Sequence, residues 1–171
     1  MDPLVILLRF VHIVFGSLWV GMMFFSTFYL MPAVQEVGPD GGKVMAVIQR
    51  RGLMTVMPVL AIGALISGIW LYIRAASGMP AEFGRSPVGM AYGIGGLAGI
   101  VAWILGMAVL RPSMMKAMAL AQSLGSSTGA EERQRIMGEA QRLRGRATAA
   151  GRAAAYLLLF AVTAMAVARY L

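Results

Sequence analysis

The sequence predicts an all-α polytopic membrane protein: a four-helix bundle whose third and fourth helices extend beyond the membrane as a hairpin. Three observations predict it. Of 171 residues, 59% are hydrophobic and 13% are charged, against about 25% charged in an ordinary soluble domain. Four segments approach or exceed the roughly 20 apolar residues that a membrane-spanning helix needs. The basic residues gather in the loops between those segments, as topology rules require.

The first span covers about residues 3–31. Pro3 suits a first helical turn, and Pro32 is expected to stop the helix. With no basic leader and a long apolar run, this segment reads as a retained helix and not a cleaved signal. A turn cluster follows, Val37-Gly38-Pro39-Asp40-Gly41-Gly42, then a short amphipathic piece ending Gln49-Arg50-Arg51. The second span covers about residues 53–76. A short polar connection carries Glu82 and Arg85. The third span starts at Ser86-Pro87 and is apolar to Leu110. Its helix is expected to continue past Pro112 to about Leu124, with a kink at the proline. The fourth span covers about residues 147–168. Before it, Ile136, Ala140, Leu143 and Ala147 fall on one helical face, and Thr128 with Glu131 forms a candidate capping box. One helix of roughly 60 Å is expected from about residue 129 to 170, at 1.5 Å per residue. The hairpin, about residues 111–146, would turn at Gly125-Ser126-Ser127.

The chain has 15 Lys and Arg against 7 Asp and Glu, a net charge of +8. Lys43, Arg50 and Arg51 lie in the first loop. Arg111, Lys116, Arg133, Arg135, Arg142, Arg144, Arg146 and Arg152 lie in or beside the third. The other side has Arg74, Arg85 and Arg169, with Arg9 inside the first helix. This asymmetry predicts a multi-pass protein of the bacterial inner (plasma) membrane with loops one and three cytoplasmic and both termini non-cytoplasmic. It also assigns the positive charge to anionic lipid headgroups and not to nucleic acid. Small residues let helix backbones approach in lipid. Gly89, Gly93, Gly95, Gly96, Gly99 and Gly106 on helix three, and Ala147, Gly151 and Ala155 on helix four, are read as bundle contacts, some of which also suit a homo-oligomer.

Several chemistries are excluded. Without cysteine, there is no disulfide, zinc-thiolate site or thiol nucleophile. No carboxylate lies inside a predicted span, so no carboxylate relay crosses the membrane. There is no phosphate-binding loop or dinucleotide fingerprint.

One stripe stands apart. Arg9, His12, Gly16, Trp19 and Met23 are spaced three, four, three and four, so they share one helix face. Ionisable residues at membrane depth are costly and usually face the bundle interior at functional positions. His12 offers an imidazole nitrogen to a metal, Gly16 leaves room for a flat ligand, Trp19 offers a packing surface, and Arg9 offers a cation to a carboxylate. A haem uses one of each. The same residues have a plain alternative. His12 could hydrogen-bond a serine, threonine or carbonyl across the bundle, Arg9 could snorkel to the interface, and Trp19 could fill the core. Residues expected at the depth of His12 are Trp70, Tyr72, Met90, Tyr92, Thr163 and Met165. Met90 and Met165 are candidates for a second axial ligand. The 15 methionines also admit copper(I) as an alternative cofactor, although most read as apolar filler.

The segment HIVFGSLWVG, from His12 to Gly21, reads His-x6-Trp-x-Gly. It resembles the first helix of the CopD-like and HemJ-like group of small bacterial membrane proteins. It is also similar to the membrane domain of the urate oxidase associated with cytochrome c. The resemblance continues in FYLMP (28–32) and in RRGLMTVMPVLAIGALISGIWL (50–71), covering roughly the first 75 residues. It implies a four-helix haem-associated membrane fold. In HemJ-like proteins the first-helix histidine ligates haem b during oxidation of protoporphyrinogen IX. That role carries onto His12 alone, because SPVGMAYGIGGLAG of helix three lacks the lysine and histidine of HemJ-like proteins. Three functions are therefore expected to compete: a haem b-binding redox protein or oxidase-like subunit, a copper-handling protein, and an accessory subunit whose hairpin docks a membrane or redox partner.

Overall fold

The computed structural model describes residues 2–124 and 129–171. Its four long apolar helices each have the length and composition to cross a membrane. Helix α1 spans Pro3–Glu36, α3 spans Leu53–Ala76, α5 spans Pro87–Ser123 and α6 spans Ala130–Ala168. Two shorter helices join them, α2 over Pro39–Arg50 and α4 over Pro80–Arg85. The predicted all-α bundle and its extended third and fourth helices are present. The predicted turn at Gly125-Ser126-Ser127 and the capping residue Thr128 lie outside the described residues.

Local sequence sets the helix starts. The Asp2 carboxylate accepts a hydrogen bond from the Leu4 amide at 3.0 Å and caps α1, with Pro3 in the first turn. Ser86 caps α5 in the same way, its hydroxyl accepting from the Gly89 amide at 3.0 Å, ahead of Pro87. Gly52, at a left-handed φ of 91°, precedes α3. That conformation suits glycine because it has no Cβ.

Pro32 does not stop the first helix. A proline offers no amide hydrogen, and its ring collides with the carbonyl four residues back. Here a wide π turn, Ser26–Leu30, comes just before it, and the Met31 amide donates to Ser26 O, five residues back. The widened turn moves the offending carbonyl and lets the chain continue to Glu36. The same arrangement precedes Pro112: a π turn spans Gly106–Leu110, and the Arg111 amide donates to Gly106 O. The expected kink at Pro112 thus takes the form of a π bulge. Gly41 and Gly42, expected in a turn, lie inside α2. A Cβ on Gly41 would collide with the Val34 carbonyl, so α2 packs its backbone against the end of α1.

The four long helices form a square. The main antiparallel pairs are α1 with α3 and α5 with α6, and α3–α5 and α1–α6 contacts close the bundle. Among the described residues, the backbones of the diagonal pairs, α1–α5 and α3–α6, come nowhere within 8 Å of each other, Cα to Cα. Trp19, Met23, Ala64, Ala102, Ala154 and Leu158 lie in the shared core. Both π turns converge on α6 at Gly151, where an added Cβ would stand 3.1 Å from Leu110 Cδ1 and 3.4 Å from Thr27 Oγ1. Gly93 faces Tyr72, Gly95 faces Ala161 and Met165, and Gly99 faces Leu65. Gly96 and Gly106 instead open onto free space, and Gly89 packs on the Phe83 carbonyl of the preceding short helix. Gly96 and Gly106 are not interhelical seats and Gly89 seats only the short α4, so spacing along one helix overcounted its contacts with the other spans. Beyond the bundle, Ile136, Ala140, Leu143 and Ala147 of α6 are buried as predicted, as are Ser113 and Ala117 of α5, its packing partner. The outside is apolar: Phe10 and Ile13 are each 63% exposed and Leu97 61%. Such a belt is a liability in water and the normal surface in lipid.

Candidate functional site

The site is built on the α1–α3 seam. Its backbone is close because α3 places glycine where α1 places bulky rings. Phe15 lies over Gly63, where an added Cβ would collide with the ring. One turn toward the termini, His12 lies over Gly68, where an added Cβ would stand 2.7 Å from Cε1 and 3.0 Å from Nδ1. The Asp2–Arg74 ion pair, at 2.8 Å and partly exposed, closes the same seam at its terminal end.

His12 Nδ1 lies 2.8 Å from the Ala64 carbonyl oxygen. A carbonyl only accepts, so Nδ1 carries the hydrogen and donates it. In the neutral ring, Nε2 then holds the lone pair, and among the described residues it makes no hydrogen bond. The Ser67 hydroxyl shares the Ala64 carbonyl, at 3.1 Å, and lies 2.6 Å from Gly63 O. Ser67 is buried and thereby satisfied inside its own helix. A histidine anchored by Nδ1–H on a backbone carbonyl, with Nε2 free, is the arrangement common to metal-ligating histidines. It is equally a complete hydrogen bond between two helices, so the carbonyl partner named among the plain alternatives is present.

The rest of the stripe divides. Trp19 and Met23 are buried in the common core. Gly16 is half-buried, and an added Cβ there would meet nothing within 4 Å. Arg9 is exposed and makes no ion pair among the described residues. The stripe therefore runs from an open cation, past the histidine and an open glycine, into packed core. The residues expected at the same depth have other roles. Met90 and Trp70 point outward, 47% and 50% exposed. Met165 packs on Gly95 in the α5–α6 seam. Tyr72 meets Phe83 edge-on at 5.3 Å, Tyr92 is half-buried, and the Thr163 hydroxyl donates to Leu159 O at 2.9 Å. With α1 and α5 on a diagonal, Met90 sits on a helix whose backbone stays more than 8 Å, Cα to Cα, from the one bearing His12.

Two further features bear on ligands. The Trp103 indole nitrogen on α5 is buried without a partner among the described residues. No group of three His, Cys, Asp or Glu side chains gathers anywhere among those residues. An open cleft of about 570 Å³ lies between α2 and α5, and another of about 580 Å³ is lined by Gly129, Glu131, Glu132 and Arg135. Neither includes a residue of the stripe. Ala64, Ser67 and Gly68 escaped the sequence reading. Their one visible signal was a cluster of small residues, Gly63, Ala64, Ser67 and Gly68, facing no identified partner. No protein-family model, curated protein or solved structure matches the chain.

Proposed function

We propose that the chain is an integral membrane haem b-binding redox protein, in which His12 Nε2 would hold the iron. The observation that carries this reading is the anchored imidazole: Nδ1 committed to Ala64 O at 2.8 Å, Nε2 unpaired, and a bare Gly68 beneath the ring. Fixing one nitrogen on a carbonyl sets the tautomer and orientation of the ring. The residues present fit a group held by one protein ligand. Arg9 would neutralise a propionate toward the terminal end, and Gly16 leaves open space one turn further in. The iron would supply one-electron chemistry, and the chain's own contribution would be to bind it, orient it and set its surroundings. The resemblance to CopD-like and HemJ-like proteins supports the same residue. The proposed orientation places the basic loops in the cytoplasm and the termini outside, in a bacterial inner membrane, which puts His12 in the outer half of the bilayer.

The test is the absorption spectrum of protein purified from haem-replete cells. A Soret band that disappears in His12→Ala, with the fold retained by circular dichroism, is the expected result. A colourless wild-type preparation defeats the reading.

A second reading has its own observation. The α5–α6 extension buries one face of each helix against the other and leaves Met115 and Met137 57% and 54% exposed beside its arginines. Such a surface suits an accessory subunit that docks a partner. Loss of a co-purifying protein, but not of cofactor, on deleting residues 114–143 would favour it.

A further inference from the structure

At the end of the bundle remote from the termini, α2 joins two spans. It begins shortly after α1 ends at Glu36 and finishes shortly before α3 begins at Leu53. Its packed side buries Gly41 and Met45. Its other side leaves Val44 and Val47 48% and 43% exposed, next to exposed Lys43 and Arg50. Apolar and cationic residues side by side on a short helix, at the mouth of membrane spans, are the pattern of a helix lying in the headgroup layer.

This helix does not lie alone. The Gln49 side-chain amide donates to Met118 Sδ at 2.9 Å and ties α2 to α5. Between the two helices is the open cleft of about 570 Å³, within the size range of small-ligand sites. Lys43, Arg50, Gln49 and Gln122 supply its polar wall, Val47 and Met118 its apolar wall, and no carboxylate lines it. Asp40, just outside, pairs with Lys43 at 2.7 Å. Arg50 has no ion pair among the described residues.

We propose that this cleft seats the phosphodiester headgroup of an anionic phospholipid, with Arg50 as the principal cation and Lys43 as the second. Arg50 offers a planar fork that matches phosphate oxygens, the amides of Gln49 and Gln122 add donors, and the exposed valines receive the acyl chains. An acidic peptide would satisfy the cations and leave Val44 and Val47 uncovered; a lipid satisfies both. The proposal rests on the four spans and not on the haem reading.

The full chain is purified in neutral detergent, equilibrated with equal parts phosphatidylglycerol and phosphatidylcholine, and read by native mass spectrometry. Wild type is expected to retain phosphatidylglycerol preferentially. Arg50→Gln lowers that retention about fivefold, the factor carried by one cation at an anionic surface. Asp40→Asn raises it by releasing Lys43, a gain that misfolding does not produce. Arg135→Gln, whose partner is Glu132, leaves it unchanged. Equal retention of both lipids, or wild-type retention in Arg50→Gln, overturns the proposal. Displacement of the lipid by inorganic phosphate or by an acidic peptide at equal concentration also overturns it, and assigns the cleft to that ligand.

Discussion

Gly68→Ala should expose how the seam around His12 works. The added methyl would stand 2.7 Å from Cε1 and 3.0 Å from Nδ1 of the imidazole, inside van der Waals contact, so the ring must move and its bond to Ala64 O must stretch or break. Overpacking of this kind costs about 1–3 kcal/mol. An interhelical hydrogen bond in a membrane contributes about 0.6 kcal/mol more. Against this, alanine is about 0.8–1.0 kcal/mol better than glycine inside a helix. The net expectation is a loss of about 0.6–2.8 kcal/mol from these terms. In a His12→Ala background the ring is absent, and Gly68→Ala should stabilise by up to about 1 kcal/mol. The sign reversal is the signature of direct contact. Unfolding midpoints of the four proteins in mixed micelles of rising sodium dodecyl sulfate fraction, read by helicity, give the cycle. Equal effects of Gly68→Ala in both backgrounds, within about 0.5 kcal/mol, would refute the packing described for His12.

Two further predictions concern the ends of the bundle. Asp2→Asn keeps the helix cap and loses only a partly exposed ion pair with Arg74, so its cost stays below about 1 kcal/mol and shrinks with salt. Asp2→Ala loses the cap as well, raising the cost by about 0.5–2 kcal/mol in the same unfolding assay. At Gly151 the nearest atom to an added Cβ is the flexible tip of Leu110, at 3.1 Å; Gly151→Ala should therefore shift stability by less than about 1 kcal/mol, whereas Gly151→Leu should cost about 1–3 kcal/mol by driving the two π turns apart. A tolerated leucine would contradict the convergence of Thr27 and Leu110 on that residue.

The spans were legible because lipid makes length and apolarity sufficient evidence. The long last helix was legible too, since Ile136, Ala140, Leu143 and Ala147 carry their period without interruption into the span. Proline was the main source of error. Its effect at Pro32 depends on whether the preceding turn widens, and the donors of Met31 and Arg111 reach back five residues for reasons no local pattern displays. Glycine spacing on α5 promised more seats than the fold uses, because Gly96 and Gly106 face away from neighbouring helices. At the site, periodicity found the helix face of His12 but not what the ring touches. Ala64 contributes a backbone carbonyl, which has no side-chain signature, and Gly68 contributes the absence of a side chain. Both become visible only when the antiparallel register of α1 and α3 is fixed, by Phe15 on Gly63 and Asp2 on Arg74.

Under the proposal, His12 Nε2 is free to hold a haem iron. The most direct measurement removes the imidazole and returns it in solution. His12→Gly, purified from haem-replete cells, is predicted to lack the Soret band of wild type and, once unbound haemin is removed by gel filtration, to retain haem only when imidazole was supplied with the haemin. A band that persists in His12→Gly without imidazole, or a wild-type protein that shows none, would contradict the claim.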